Sequence, residues 1–93
     1  MYTYTDKEII LVWQKATIVP GYNAAVIRKD RCGALIKLAD FGNRNSLYGW
    51  EVDHIIPTSR NGAHTIDNVQ PLHWRNNAAK SDGPLLCAIT ARR

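Results

Sequence analysis

The chain has 93 residues, 45% of them hydrophobic and 22% charged, which is enough for one domain with a thin core and too short for a second core plus a linker. Four prolines and six glycines in this background exclude a collagen-like, low-complexity or wholly disordered chain. Twelve lysines and arginines against eight aspartates and glutamates give a net charge of +4, a mild field that suits a polyanionic partner without identifying one.

Thr5 followed by Glu8 is a capping-box pattern, and Ile9, Trp13 and Ala16 recur at helical spacing, so a first helix is expected over residues 6–16. Val19-Pro20-Gly21-Tyr22 breaks it. Tyr22, Ala25 and Val26 then offer packing, the cluster Arg28-Lys29-Asp30-Arg31 reads as solvated surface, and Cys32-Gly33 as a turn. Residues 35–38 suggest a strand, and residues 41–46 a turn-rich loop. Trp50, Val52 and His54 alternate with Glu51, Asp53 and Ile55, the period-two pattern of a strand. A regular strand would put Asp53 and His54 on opposite faces, so for both to serve one site it must twist or end at His54, where Pro57 close behind makes an ending reasonable. Residues 58–67 read as a loop, with Asn61-Gly62 able to turn tightly, and residues 69–72 as a second strand. Residues 73–80 have room for a two-turn helix, stopped by Ser81-Asp82-Gly83-Pro84. His73, Asn77 and Lys80 can share one of its faces, with Trp74 and Ala78 on another. Residues 85–89 offer a last apolar contact before an Arg92-Arg93 end that should fray.

The longest apolar run, residues 9–13, is far short of the roughly 20 residues that span a bilayer, so no membrane helix is expected. Asp6 and Glu8 stand where a secretory leader would be basic, which argues against a cleaved signal. Cys32 and Cys87 form neither a CxxC pair nor a four-cysteine site. Reduced thiols in a cytoplasmic protein are the expectation, with a single disulfide left open.

Three runs carry a more specific signal: Gly49-Trp50-Glu51-Val52-Asp53-His54-Ile55-Ile56-Pro57, then Asp67-Asn68-Val69-Gln70-Pro71-Leu72, then Asn76-Asn77-Ala78-Ala79-Lys80-Ser81-Asp82. His54 is followed by Asn68 after fourteen residues, Asn77 nine later and Lys80 three beyond. Jointly, over residues 49–82, these runs resemble the HNH endonuclease motif, and Arg28-Lys29-Asp30 and Cys32-Gly33-Ala34, together with Tyr48-Gly49-Trp50, further resemble small stand-alone bacterial and phage members, so that residues 1–93 are expected to form one such domain. The resemblance implies an α+β domain in which a β hairpin and a helix clasp one metal ion, with the expected first helix added before it.

By the same resemblance His54 is the general base, Asp53 and Asn77 are the protein ligands of a divalent metal, and Asn68 braces the hairpin loop and helps orient His54. Lys80 and His73 are candidates for phosphate contact, each set against a local role at its end of the helix. His64 reads as ordinary loop exposure, and Trp50 and Trp74 as packing. Asp53 and Asn77 are oxygen donors, which favours magnesium, with manganese as the alternative, and leaves much of the shell to water and phosphate. The resemblance implies hydrolysis of double-stranded DNA to 5′-phosphate and 3′-hydroxyl ends. The places where many relatives carry zinc-binding cysteines look like His73 and Asn76, so structural zinc is not expected. A catalytically inactive DNA-binding module of the same shape, and a nuclease toxin controlled by an immunity partner, are the alternatives. A homodimer or other protein partner is not readable from the sequence.

Overall fold

The computed structural model describes residues 3–90; the Arg92-Arg93 end lies outside them. Thr5 opens helix α1 (Asp6–Trp13) with a full capping box: its hydroxyl accepts from the Glu8 N–H, and the Glu8 carboxylate accepts from the Thr5 N–H at 2.9 Å. The helix ends three residues earlier than its apolar spacing suggests. Gln14 caps it, the N–H groups of Lys15 and Ala16 turn back to the carbonyls of Val12 and Trp13, and β-branched Thr17 and Ile18 begin a strand. Ala16 nonetheless stays buried with Val12 and Trp13.

Strands β1 (Thr17–Ile18), β2 (Ile27–Lys29) and β3 (Leu35–Lys37) form an antiparallel sheet in that order. The basic cluster expected to be solvated is partly structural. Arg28 donates from Nε to the Ala24 carbonyl and from Nη1 to the carbonyls of Gln14 and Ala16, and its guanidinium lies 5.9 Å from the Trp13 ring centre. Asp30 is only 2% exposed. One of its carboxylate oxygens accepts from the Cys32 and Ala34 N–H groups, and the other from the His73 N–H and the Asn76 amide. Four donors compensate a buried carboxylate, so Asp30 ties the β2–β3 turn to the second half of the chain.

Strands β4 (Trp50–His54) and β5 (Val69–His73) form a separate antiparallel hairpin, with Trp50 opposite His73, Asp53 opposite Gln70 and His54 opposite Val69. Helix α2 (Trp74–Lys80) follows β5 without a loop. The two sheets and two helices make an α+β domain. Its core is Val12, Trp13, Ala16, Ile36, Trp50 and Val69, in which Trp50 packs against Trp13 and Phe41 at ring separations of 5.4 and 4.9 Å. Aromatic pairs of this kind add about 0.5–1.5 kcal/mol each beyond area burial. Among the described residues, no helix is long and apolar enough to cross a membrane.

The thiols expected to be reduced are joined: Cys32 and Cys87 form a disulfide with their Cα atoms 5.5 Å apart. The cause is a C-terminal return that sequence spacing does not show. The Asn76 side chain donates to the Ile89 carbonyl and accepts from the Ile89 N–H, which draws residues 85–89 back across α2 and carries Cys87 to the turn at Cys32.

Candidate functional site

Strand β4 ends at His54. Its ladder is extended by one bond, from the Ile55 N–H to the Asn68 carbonyl, before Pro57 and a 3-10 turn at Thr58–Arg60 lead the chain away. Asn61 adopts a left-handed conformation (φ 67°). Gly62 then lies so close to the preceding chain that a Cβ there would sit 1.7 Å from the Ile56 carbonyl oxygen. Asn68 closes the loop, accepting from the Ile56 N–H and donating to the carbonyls of Ile56 and Ala63, all at 2.8–2.9 Å. It touches loop backbone immediately behind His54, which is a positioning geometry.

Closing this loop brings His64 to His54, with His54 Nε2 and His64 Nδ1 2.8 Å apart, so one of the two nitrogens donates to the other. The loop is polar, and nothing in its pattern marks His64; only the fold makes the pair. Burial holds the His54 pKa below its ordinary value of 6.5, with the charges of His64 and Lys80 acting in the same sense and Asp53 opposing them.

Helix α2 supplies the opposite wall. Its first turn is capped by His73, whose Nδ1 accepts from the Arg75 N–H while its Nε2 meets the Leu47 carbonyl at 2.9 Å. With both ring nitrogens engaged and 3% exposure, His73 caps the helix. Lys80 is likewise turned inward. Its ammonium is buried against Asp53 Oδ1 at 3.2 Å and the His54 carbonyl at 3.0 Å, and loss of one partner from a buried pair costs about 3–5 kcal/mol. Lys80 therefore pins the end of β4 to α2.

Asp53, His54 and Asn77 line one open cleft with Pro57, Ser81 and Asp82. Asn68, His73 and Lys80 lie outside its lining. Asp53 is held from both sides, since its second oxygen accepts from the Gln70 amide at 2.9 Å. Ser81 has a φ of 48°, and the Gly83 N–H bonds back to the Lys80 carbonyl at 2.8 Å, a reversal that keeps Ser81 and Asp82 beside the cleft. Glu51 also belongs to this region. It accepts from the Asn77 amide nitrogen at 2.8 Å and binds Arg44 through both carboxylate oxygens at 2.6 and 2.8 Å. The Arg44 hydrogen bond is the main cause of a Glu51 pKa below the usual carboxylate range. The period-two pattern already placed Glu51 on the face of Asp53; Arg44, in a turn-rich loop, carried no such signal.

The donor chemistry suits a hydrated divalent cation. Each Asp53 oxygen accepts one partner and retains a further lone pair. The Asn77 amide nitrogen is bound to Glu51, and its oxygen has no hydrogen bond among the described residues. Two hard oxygens, with water completing the shell, are the donors magnesium and manganese accept. Among the described residues, no group of three or more histidine, cysteine, aspartate or glutamate side chains is placed to hold a metal.

A family model described as HNH endonuclease matches residues 30–83, more than half of the chain. The chain belongs to the HNH endonuclease family. No curated protein and no solved structure matches it. Within this HNH domain, the matched span includes both walls of the cleft, together with Arg44, Glu51 and the Asp30 tie. Helix α1, which supplies Val12 and Trp13 to the core, precedes it.

Proposed function

We propose that this HNH protein is a metal-dependent endonuclease that hydrolyses phosphodiester bonds in double-stranded DNA. The observation that carries the reading is the convergence of Asp53 and His54 from the end of β4, and of Asn77 from α2, on a single open cleft in a chain of this family. Asp53 and Asn77 hold a divalent cation, magnesium or manganese. When bound, the cation supplies positive charge for the phosphate oxygens and the leaving 3′ oxygen as charge develops there.

His54 takes the proton from the attacking water. Its lowered pKa keeps the imidazole uncharged at neutral pH, the form able to accept that proton. His64, hydrogen-bonded to His54 Nε2, holds the ring at the mouth of the loop. Lys80 and Gln70 fix Asp53, and Asn68 fixes the loop that follows His54. The net charge of +4 favours a polyanionic substrate over a neutral one.

The test is conversion of supercoiled plasmid by the purified protein with magnesium, manganese or chelator, beside His54→Ala. Metal-dependent nicking or linearisation that is lost in the variant is the expected result. Equal cleavage by the variant would remove His54 from its assigned role, and absence of cleavage by both would favour a binding module.

A further inference from the structure

We propose that Glu51 and Arg44 are positioning residues that fix the orientation of the Asn77 amide, so that its oxygen rather than its nitrogen is presented for cation binding. This rests on the reading of Asn77 as a cation ligand. An asparagine amide offers an acceptor on one side and two donors on the other, and only the acceptor side can bind a metal. Left to itself on an open surface, the group samples both orientations. Here the choice is made by its neighbour. A carboxylate only accepts, so the atom of Asn77 that lies 2.8 Å from Glu51 Oε1 must be the nitrogen, and the oxygen is turned to the other side.

Glu51 is itself held. Arg44 grips it through two parallel hydrogen bonds, Nε to Oε2 at 2.6 Å and Nη2 to Oε1 at 2.8 Å, the two-pronged geometry that fixes direction as well as distance. The Arg44 guanidinium in turn lies 5.9 Å from the Trp74 ring centre, and the Trp74 indole N–H donates to the Ser46 carbonyl at 2.9 Å, so the loop carrying Arg44 is fastened to the first turn of α2. The Arg44 side chain is 55% exposed and that of Glu51 20%, so a pairing at the surface alone would be worth little. Its consequence lies in the third partner. Neutral glutamine at position 51 can turn either end of its amide to Asn77 and releases the constraint without changing the size of the side chain.

The test uses the full-length protein. Manganese binding is followed by loss of the free-ion paramagnetic resonance signal in the parent, Glu51→Gln, Arg44→Ala and Asn77→Ala, with thermal melting and the magnesium dependence of plasmid cleavage recorded alongside. Glu51→Gln is expected to weaken manganese binding roughly tenfold or more, the scale found for partners that orient metal ligands. The half-saturating magnesium concentration should rise with it, by a larger factor than the rate at saturating magnesium falls. Arg44→Ala, at a position whose side chain is 55% exposed, should shift both in the same direction by less. Parental manganese affinity in both variants would overturn the proposal, and so would a fall in the saturated rate at unchanged affinity. Asn77→Ala separates this from the underlying reading. If it binds manganese as the parent does, Asn77 is no ligand and both readings fall; if it alone loses binding, only the role of Glu51 and Arg44 falls.

Discussion

His54 sits where two demands on an imidazole meet. To act as the proposed base it must be uncharged, yet it lies beside Asp53, whose charge favours the protonated ring. Burial and the nearby charges of His64 and Lys80 outweigh Asp53, so the net shift is downward from 6.5. The sign has a direct kinetic consequence. The proton-accepting form dominates above the lowered pKa, so kcat/KM for plasmid cleavage at saturating magnesium should rise with pH through a midpoint below 6.5 and stay level through neutrality. A midpoint above 6.5 would contradict this environment. The same shift affects stability: a histidine harder to protonate when folded contributes fully above pH 6.5, and its contribution is lost as pH falls through the folded-state pKa.

At the scale of elements, the site is made by where β4 stops and by the loop that returns the chain to β5. That loop depends on backbone contact more than on side-chain burial. Gly62 approaches Ile56 more closely than any Cβ allows, and the Asn68 side chain bonds to backbone groups of Ile56 and Ala63. Gly62→Ala must therefore displace the loop that holds His64 against His54. A loss of roughly 1–3 kcal/mol in unfolding free energy, with reduced cleavage, is expected from denaturant titration and plasmid assay; parental values for both would show that the close approach is not required. The capping box at Thr5, the alternation in β4 and the short helix before Ser81 could be read from sequence because each is a local pattern with its own period or cap. The end of β4 at His54, foreshadowed by Pro57, belongs with them. Strands β1 and β2 could not be read so. They are two and three residues long, and Ile27-Arg28-Lys29 has no alternation to show which face is inward. Asp30 and Arg28 looked like surface because the groups that satisfy them, at His73, Asn76 and Gln14, are remote in sequence. The His54–His64 pair was hidden for the same reason.

Across the whole molecule, two long-range ties hold the first half of the chain to the second, the Asp30 carboxylate on α2 and the Cys32–Cys87 disulfide spanning 55 residues, while the Asn76 clasp on Ile89 holds the C-terminal return against α2. They fasten the side of α2 away from the cleft, so that Asn77 projects from a fixed helix. For a loop of that length, the chain-entropy relation gives about 4 kcal/mol of stabilisation from the disulfide. This is a large share for a domain with a core this small. Cys32→Ser should lower the melting temperature strongly, and reductant should do the same to the parent while leaving the variant unchanged. Equal melting of the parent with and without reductant would show that the bond contributes nothing. The charge balance was legible from composition, but the pairing of the cysteines was not, because it depends on the C-terminal return across α2.

Everything proposed for this cleft turns on His54 as acceptor of the proton of the attacking water. That role is tested most directly by the single-turnover cleavage rate of His54→Ala at saturating magnesium, with and without added imidazole. The variant should lose about 10²–10⁴-fold, the usual contribution of a general base, and imidazole should restore part of the loss with the pH dependence of a free imidazole acting as base. A variant that cuts at the parental rate, or whose lost activity imidazole leaves untouched while its manganese binding and melting temperature match the parent, would rule His54 out as the base.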